Sequence, residues 1–196
     1  MPERTSGCSG VIGFTFKLSN AYWRLKSRLY FAPQFGSFGA GSVLRRPLFL
    51  RTPGGIHIGA GVRIRDGARL EVIDRPGLPP GKLTIGDGVS IEQDAHIVAC
   101  DEITIGDYTL ITARCSIIDT THPLGDGEGT RTTDLSDERS FVRIGRRVFI
   151  GVNVVIMPNV TIGDNCFIGA GSVVTTDIPA NSVAVGAPAK VIRSIG

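Results

Sequence analysis

The sequence has little of what would indicate a membrane protein, a secreted protein or a nucleic-acid-binding protein. No apolar run in its 196 residues is long enough to span a bilayer. Near the N-terminus, Lys17, Arg24, Lys26 and Arg28 interrupt any apolar signal-peptide core. The net charge of +3 is too small to favour a nucleic acid as partner. These absences predict a cytoplasmic protein, and the length predicts one modest domain.

Glycine and a six-residue repeat are what the sequence has in quantity. Aliphatic residues recur at a spacing of six near the C-terminus, at Ile144, Ile150, Ile156, Ile162, Ile168, Val174 and Ala180. The same spacing recurs upstream in three shorter runs, which are Ile58, Ile64, Leu70; Ile85, Ile91, Ile97; and Ile105, Ile111, Ile117. This period fits neither an α-helix nor an alternating strand, and hexapeptide repeats build parallel β-helices. We therefore predict an all-β fold of stacked triangular coils.

A second register supports the first. The fourth residue after each of these aliphatic positions is usually small or β-branched, at Val62, Ala68, Val89, Ala95, Thr109, Cys115, Thr121, Val148, Val154, Val160, Cys166 and Ser172. Both registers should point inward, so that residues eighteen apart stack at roughly 4.8 Å, as Phe149 on Phe167 and Ile150 on Ile168. Cys115 and Cys166 then become small core thiols in a reducing compartment, rather than parts of a disulfide framework.

Interruptions of the repeat define the expected organisation. The turn-rich stretch DRPGLPPGK separates Leu70 from Ile85, and a long polar stretch separates Ile117 from Ile144. We predict a helical cap over 1–35, a β-helix over 36–185 with a protruding loop at 123–142, and a C-terminal tail over 186–196. Long irregular loops on rigid scaffolds are where function concentrates.

A helix is predicted over 14–32, ahead of Pro33. Leu18, Tyr22, Leu25 and Leu29 recur at helical spacing with basic residues between them. Solenoid ends need covers, so the pattern favours a cap on the first coil. The alternative is a weak peripheral membrane contact through an amphipathic helix that touches anionic lipid.

Only three histidines are present, at His57, His96 and His122. His57 and His96 fit ordinary outward coil positions, and we expect both to be exposed and without a catalytic role. His122 ends the run SIIDTTHPL, where the coil gives way to the loop, and Pro123 biases it to an extended backbone. A neutral imidazole there can accept a proton near pH 7. No two histidines are close in sequence, which argues against a zinc hydratase on the same scaffold, and no metal site is predicted.

Two segments carry a family resemblance. ITARCSIIDTTHP, and the stretch from VRIGRRVFIGVNVVIMPNV to VGAPAKVIR, resemble the hexapeptide-repeat sugar O-acetyltransferases. That family includes the maltose and galactoside acetyltransferases and the O-acetyltransferases of surface-polysaccharide clusters. The resemblance covers about residues 85–193, and the basic helix followed by FGSFGAGSV is more similar to the polysaccharide-cluster branch. It implies a left-handed coil, a homotrimer, acetyl-CoA as co-substrate and an active site between subunits.

The resemblance also implies roles for particular residues. His122 matches the general base, and the backbone N–H of Val152 matches the donor to the oxyanion. On the acceptor side, Asp94 stands where the family has an Asn, Phe149 replaces a Trp, and Ala99 replaces an acceptor-binding Asp. These departures leave the acceptor open.

The cofactor side matches the family better. Gly169 and Ala170 are small where the pantetheine arm lies, and Thr175 matches a contact residue. Thr176 departs from the common Lys. Lys190 and Arg193 match cations near the nucleotide, where phosphate oxygens favour charged donors.

The expected function is transfer of an acetyl group from acetyl-CoA to a sugar hydroxyl, on a surface polysaccharide or its precursor. One alternative is N-acetylation of an amino sugar or an antibiotic on the same scaffold. Another is a β-helix that serves as a scaffold without catalysis.

Overall fold

The computed structural model describes residues 9–120 and 138–195, with side chains from residue 18 onward. Thr121, His122 and most of the predicted loop lie outside the described residues. Strands are numbered below in chain order.

Short strands form the three sides of a left-handed parallel β-helix. Sheet A contains, in spatial order, β1 (Ser37–Phe38), β4 (Ile56–Ile58), β7 (Lys82–Ile85), β10 (Glu102–Ile105), β13 (Phe141–Ile144) and β16 (Val160–Ile162). Sheet B contains β2 (Val43–Leu44), β5 (Arg63–Ile64), β8 (Ser90–Ile91), β11 (Leu110–Ile111), β14 (Phe149–Ile150), β17 (Phe167–Ile168), β19 (Ser182–Gly186) and β20 (Ala189–Ser194). Sheet C contains β3 (Phe49–Arg51), β6 (Arg69–Val72), β9 (His96–Ala99), β12 (Ser116–Ile118), β15 (Val155–Ile156) and β18 (Val173–Val174). All pairs are parallel except β19 with β20, so the predicted tail at 186–196 contains an antiparallel strand on sheet B.

The predicted stacking is confirmed in detail. Phe149 pairs with Phe167 and Ile150 with Ile168 in adjacent strands. The two phenyl rings stack with centroids 4.6 Å apart and planes 4° from parallel. The hexad anchors from Ile58 to Val174 are all buried, and together they form one continuous core.

The prediction that Ala180 is the seventh inward anchor is wrong, because Ala180 is exposed. The last coil is two residues shorter than the preceding one, so that Ile178 lies on Ile162 and Ala184 on Ile168. Ala180 takes the outer corner place instead. A Cβ added at Gly163 would lie 2.4 Å from the Ala180 nitrogen, just as one at Gly145 would lie 2.6 Å from that of Asp164.

The Ile-Gly-Asp segments of the repeat form corner clips between coils. The Asp87 carboxylate accepts the Ala60 N–H at 2.7 Å, and the Asp164 carboxylate accepts the Arg146 N–H at 2.8 Å. A Cβ at Gly59 would lie 2.4 Å from Asp87 Oδ1, so a side chain cannot occupy this place without displacing the clip. The glycine and the aspartate of the motif are therefore needed together.

The N-terminal helix begins earlier than predicted. Helix α1 spans Ser9–Lys26 and continues as one π-helical turn, Ser27–Phe31, and a 3-10 turn, Ala32–Gln34. Ser27 is fully buried, where its hydroxyl accepts the Leu44 N–H at 2.9 Å and donates to the Leu44 carbonyl at 3.2 Å. Trp23 and Phe31 are buried beside it. The helix therefore packs against the first coil through these three side chains.

The apolar stripe that predicted the helix lies on the opposite face from this contact. Leu18, Tyr22, Leu25 and Leu29 are 55% to 65% exposed. No described helix is long and apolar enough to cross a membrane.

The cysteines that the structure describes are buried free thiols. Cys115 and Cys166 take the predicted inward positions, and Cys100 is also buried. Burial raises the pKa of the Cys100 thiol to about 11, which keeps it protonated and unreactive at neutral pH.

Candidate active site

Asp119 lies three residues before His122, at the last described turn before the loop. Its side chain is fully buried, and its carboxylate accepts the N–H groups of Cys100 at 2.7 Å and Asp101 at 2.9 Å. Burial raises the pKa of this carboxyl, and the two N–H donors oppose that rise. Asp119 therefore fixes the backbone from which the segment carrying His122 departs.

The returning end of the loop is held by the same cluster. The Ser140 N–H donates to Asp101 Oδ2 at 2.8 Å, and the Ser140 hydroxyl donates to the Asp119 carbonyl. Arg75 Nη2 lies 2.6 Å from Asp101 Oδ2, and both side chains are almost fully buried. Arg139 adds a second, exposed cation 3.5 Å from Asp101. We call Arg75, Asp101, Asp119 and Ser140 the loop clamp.

Sequence reasoning missed the loop clamp, although the sequence carries two signals for it. Asp101 lies where the hexad spacing lengthens between Ile97 and Ile105, and Arg75 belongs to the DRPGLPPGK interruption. Two irregularities of the repeat are thus joined by one buried ion pair. Breaking such a pair is costly, because it leaves an uncompensated charge in the interior.

The corner between sheets B and C places Val152 beside the small residues predicted for the cofactor. The Val152 N–H has no hydrogen-bond acceptor in the described part of the chain, whereas its carbonyl accepts the Gly171 N–H at 2.8 Å. Ala170 is therefore the neighbour of Val152 in the next coil. A Cβ at Gly151 would lie 2.5 Å from the Ala170 nitrogen, so close coil packing alone already requires that glycine.

Gly169 is also required by packing, because a Cβ there would lie 2.7 Å from Val185 Cγ1. Above it, Val185 pairs with Lys190 and Val183 with Arg193 on the edge strand β20, where both cations are exposed. The predicted pantetheine and phosphate contacts therefore lie at the same end of the coil.

Thr175 and Thr176 are exposed just after β18, across sheet C from Ala170. Within one chain, the structure does not bring them to the Val152 corner.

On the predicted acceptor side, Asp94 is exposed and adopts a left-handed backbone with φ of 58°. Its carboxylate lies over Gly67, where a Cβ would be 2.0 Å from Asp94 Oδ1. Phe149 is half-buried under Phe167 on the face of sheet B. Ala99 is fully buried and offers no acceptor contact.

The remaining histidines differ from each other. His57 Nδ1 lies 3.4 Å from the Ser37 hydroxyl, on the outside of sheet A. His96 Nε2 lies 3.8 Å from Glu71, whose side chain is only 3% exposed. Burial lowers the pKa of His96 and the nearby Arg69 lowers it further, against the opposing influence of Glu71. Among the described residues, no group of three or more His, Cys, Asp or Glu side chains could hold a metal ion.

Known proteins are similar to this chain in sequence and in fold. The family described as bacterial transferase hexapeptide (six repeats) matches residues 141–176. WbbJ of Escherichia coli K12, assigned to lipopolysaccharide biosynthesis as an O-acetyl transferase, is 33% identical over 161 residues, covering 77% of this chain and 78% of WbbJ. WcaF of the same organism, assigned to colanic acid biosynthesis as an acetyltransferase, is 32% identical over 171 residues, covering 86% of this chain and 87% of WcaF.

A solved structure of an acyltransferase has a similar fold. The N-acyltransferase AntD from Bacillus cereus, in a complex with dTDP and coenzyme A, superposes with a TM-score of 0.66 at 25% identity, covering 83% of this chain and 85% of AntD. The chain belongs to the hexapeptide-repeat transferase family. Because its relatives in this family include sugar O-acetyltransferases, the protein is an acyltransferase.

Proposed function

We propose that this protein transfers an acetyl group from acetyl-CoA to a sugar hydroxyl of a surface polysaccharide or its precursor. The observation that carries the proposal is the extent of the match to WbbJ and WcaF, which spans most of both chains. The test is acetyl-CoA with a panel of free, nucleotide-linked and lipid-linked sugars, followed by release of the CoA thiol. If none of the acceptors in the panel makes CoA-thiol release faster than spontaneous hydrolysis, the proposal is contradicted.

In this reaction His122 removes the proton from the sugar hydroxyl as the oxygen attacks the thioester carbonyl. General base catalysis of this kind contributes about 10²–10⁴ in rate. The carbonyl oxygen becomes an oxyanion, and a fixed N–H donor aimed at it is worth about 10²–10³ in kcat. The Val152 N–H supports this assignment because no acceptor in the described chain uses it. The proton held by His122 then passes to the leaving CoA sulfur.

The cofactor contacts follow the same corner upward. The pantetheine arm lies along Gly169 and Ala170, beside the Val152 N–H. Thr175 and Thr176, which one chain does not bring to this corner, contact it only in the assembled trimer. Lys190 and Arg193 bind phosphate oxygens of the nucleotide end. Their exposure and their place on the edge strand support this role.

The geometry of sheet C favours an active site shared between subunits of a homotrimer. Ala113 lies under Val152, because its carbonyl accepts the Asn153 N–H at 3.1 Å. From there the chain turns at Ala113 and Arg114 and crosses sheet C on β12, so that Asp119 lies at the edge of sheet C away from Val152. Base, hydroxyl, carbonyl and donor must lie in successive contacts of about 3 Å, so base and donor cannot be more than ~8 Å apart.

The segment that carries His122 thus leaves sheet C at the edge away from Val152, which supports a site that takes His122 from one subunit and Val152 from the next. The test mixes two defective variants, His122→Ala and the double variant Lys190→Ala, Arg193→Ala, by co-refolding at equal amounts. If each site takes His122 from one subunit and the CoA contacts from the next, every mixed trimer has one intact site. Activity should then return to roughly a quarter of wild type. No recovery in verified mixed trimers would place both halves of the site in one chain.

N-acyl transfer to an amino sugar is the second candidate, and the likeness to AntD favours it. The same base and oxyanion donor serve both reactions, so only the acceptor distinguishes them. Matched hydroxy and amino sugars of one stereochemistry separate the two, by whether the product resists mild alkaline hydrolysis as an amide or loses acetate as an ester. A scaffold without catalysis would bind no acetyl-CoA.

We also propose a weak peripheral membrane contact through the exposed stripe of α1. Leu25 and Leu29 are 59% and 65% exposed, and the exposed Arg28 lies beside them. This combination suits an anionic lipid surface. Leu25→Glu with Leu29→Glu should abolish co-sedimentation with phosphatidylglycerol vesicles, whereas Met157→Glu, at a distant exposed apolar side chain, should leave it unchanged. Equal sedimentation of all three proteins would exclude the contact.

A further inference from the structure

A cavity of about 860 Å³ lies between α1 and the first four strands of sheet B. Arg24 from the helix and Arg45, Arg63 and Arg65 from the first two coils line it, with Glu92 as the acidic side chain among its lining residues. Four guanidinium groups around one carboxylate give the cavity a strongly positive field. Nothing in the family roles assigned above uses these arginines.

Two of the four arginines are neutralised and two are not. Arg65 Nε lies 2.9 Å from Glu92 Oε2, and Arg45 Nε lies 3.1 Å from Asp66 Oδ1. Arg24 and Arg63 are exposed and make no salt bridge with any described residue. Both line the same cavity, and guanidinium groups there without a described carboxylate partner suit a phosphate, which accepts paired N–H bonds.

At the rim of the cavity, a column of glycines and the ring of Tyr108 form a flat surface. Gly41, Gly61 and Gly88 occupy the same corner in successive coils, each with positive φ. A Cβ at Gly88 would lie 2.6 Å from Tyr108 Cδ1, so the Tyr108 ring lies directly over the Gly88 backbone. The glycine column keeps the rim open, and the Tyr108 ring borders it.

The cavity is continuous with the predicted acceptor side and distant from the predicted CoA phosphates. Leu110, at its upper end, pairs with Phe149 in the next strand. Arg63 and Arg193 belong to strands β5 and β20 of sheet B, which are six neighbour steps apart. At roughly 4.8 Å per step they are separated by about 29 Å. An anion in the cavity is therefore not the nucleotide end of a CoA held at β20.

We propose that the cavity binds the phosphate or diphosphate of the acceptor, so that the sugar to be acetylated is a glycosyl phosphate or diphosphate rather than a free sugar. This inference rests on the proposed function and names the substrate class of that site. The sugar lies toward Phe149 and Asp94, and Arg24 and Arg63 bind the phosphate oxygens. A nucleoside diphosphate sugar and a polyprenyl diphosphate sugar share this chemistry.

The first test measures binding of inorganic pyrophosphate by calorimetry to wild type, to Arg24→Gln with Arg63→Gln, and to Arg51→Gln. Arg51 is an exposed arginine on sheet C and serves as the matched control. The double variant should bind pyrophosphate at least tenfold more weakly, and the control should bind as wild type does. CoA affinity should be unchanged in all three, which also shows that the variants are folded.

Acceptor kinetics give the second test and identify the source of the phosphate. In the double variant, KM should rise at least tenfold for a uridine diphosphate sugar if the natural acceptor is soluble. The rise should appear for a polyprenyl diphosphate sugar in vesicles if the acceptor is lipid-linked. KM for the corresponding free sugar should not change in either case.

Three results would overturn the inference. These are no pyrophosphate binding by wild type, equal binding by the double variant and wild type, or a loss of CoA affinity in the double variant. None of them affects the proposed acetyl transfer, which fails only if no acceptor, free or phosphorylated, releases the CoA thiol.

Discussion

Replacing Asp119 by Ala should destabilise the fold and lower the turnover together. The substitution leaves the buried N–H groups of Cys100 and Asp101, now 2.7 Å and 2.9 Å from the carboxylate, without acceptors. Each unsatisfied buried donor costs about 1–3 kcal/mol, so the free energy of unfolding should fall by about 2–6 kcal/mol. Asp119→Asn keeps one acceptor oxygen, and its loss should be about half as large.

Turnover should fall because Asp119 also anchors the chain three residues before His122. A displacement of about 1 Å at a catalytic group can cost 10²-fold. The expected signature is a lower kcat at saturating acetyl-CoA with little change in CoA affinity, since Val152 and β20 are not touched.

The assay combines urea unfolding with kcat measured under conditions where each variant remains folded. Asp107→Ala is the matched control, because its carboxylate also accepts a backbone N–H, that of Asp87 at 2.9 Å, but at an exposed corner. Water can replace that acceptor, so the control should lose about 1 kcal/mol or less. An Asp119→Ala protein that unfolds at the same urea concentration as Asp107→Ala, with an unchanged kcat, would refute the role of the loop clamp.

Three further predictions follow from the fold and the site. Burial lowers the pKa of His96 in the folded state, so the unfolded chain binds the proton more readily and wild type should lose stability as pH falls from about 6.5 through the folded pKa. His96→Gln should remove this loss, as urea midpoints measured across pH will show. Acetyl-CoA at a hundredfold excess over Kd should stabilise wild type by about 2.7 kcal/mol, and Lys190→Ala with Arg193→Ala should lose most of this gain in thermal unfolding, an expectation contradicted if both proteins shift equally. Ile150→Ala, at a fully buried anchor, should cost about 2–5 kcal/mol, whereas Leu48→Ala, at a side chain 74% exposed, should change stability by less than about 0.5 kcal/mol.

The coil was predictable from sequence because its periodicity is strict. Each inward residue of one coil stacks on an inward residue of the next coil, as Ile144 does on Ile162. The same apolar preference therefore recurs along the sequence in every coil. The prediction was wrong at Ala180, where the coil shortens by two residues. Spacing alone cannot reveal such a change, because a small residue suits both an inward position and a corner.

Contacts between distant irregular segments were not predictable in the same way. Arg75 and Asp101 lie in two separate interruptions of the repeat, and only the stacking of coils brings them within 2.6 Å. Similarly, the helical stripe of Leu25 and Leu29 predicted a helix correctly, but its period could not tell which face would meet the coil. The face that packs against the coil has Trp23 and Phe31 around the buried hydroxyl of Ser27. A serine at the centre of that face makes it look solvent-exposed in the sequence.

For the candidate site, the roles of individual residues come from the family resemblance, and they remain predictions. The role proposed for Val152 uses its backbone, so its side chain gives no sequence signal. Only the hydrogen-bond pattern of the corner shows that no acceptor in the described part of the chain uses its N–H. The grouping of arginines in the cavity could not be predicted from the sequence for a different reason. Arg24 and Arg63 are far apart in sequence and line one cavity only because α1 packs against the first strand of sheet B.

The proposed role of His122 as general base in acetyl transfer is tested most directly by CoA-thiol release with an active acceptor, comparing wild type, His122→Ala and His57→Ala. His57 lies on the outside of sheet A and serves as the matched control. The account predicts that His122→Ala lowers kcat by about 10²–10⁴ while acetyl-CoA still binds, and that His57→Ala turns over as wild type does. Turnover by His122→Ala within a fewfold of wild type would contradict the assignment of the general base, and with it the mechanism built on that residue.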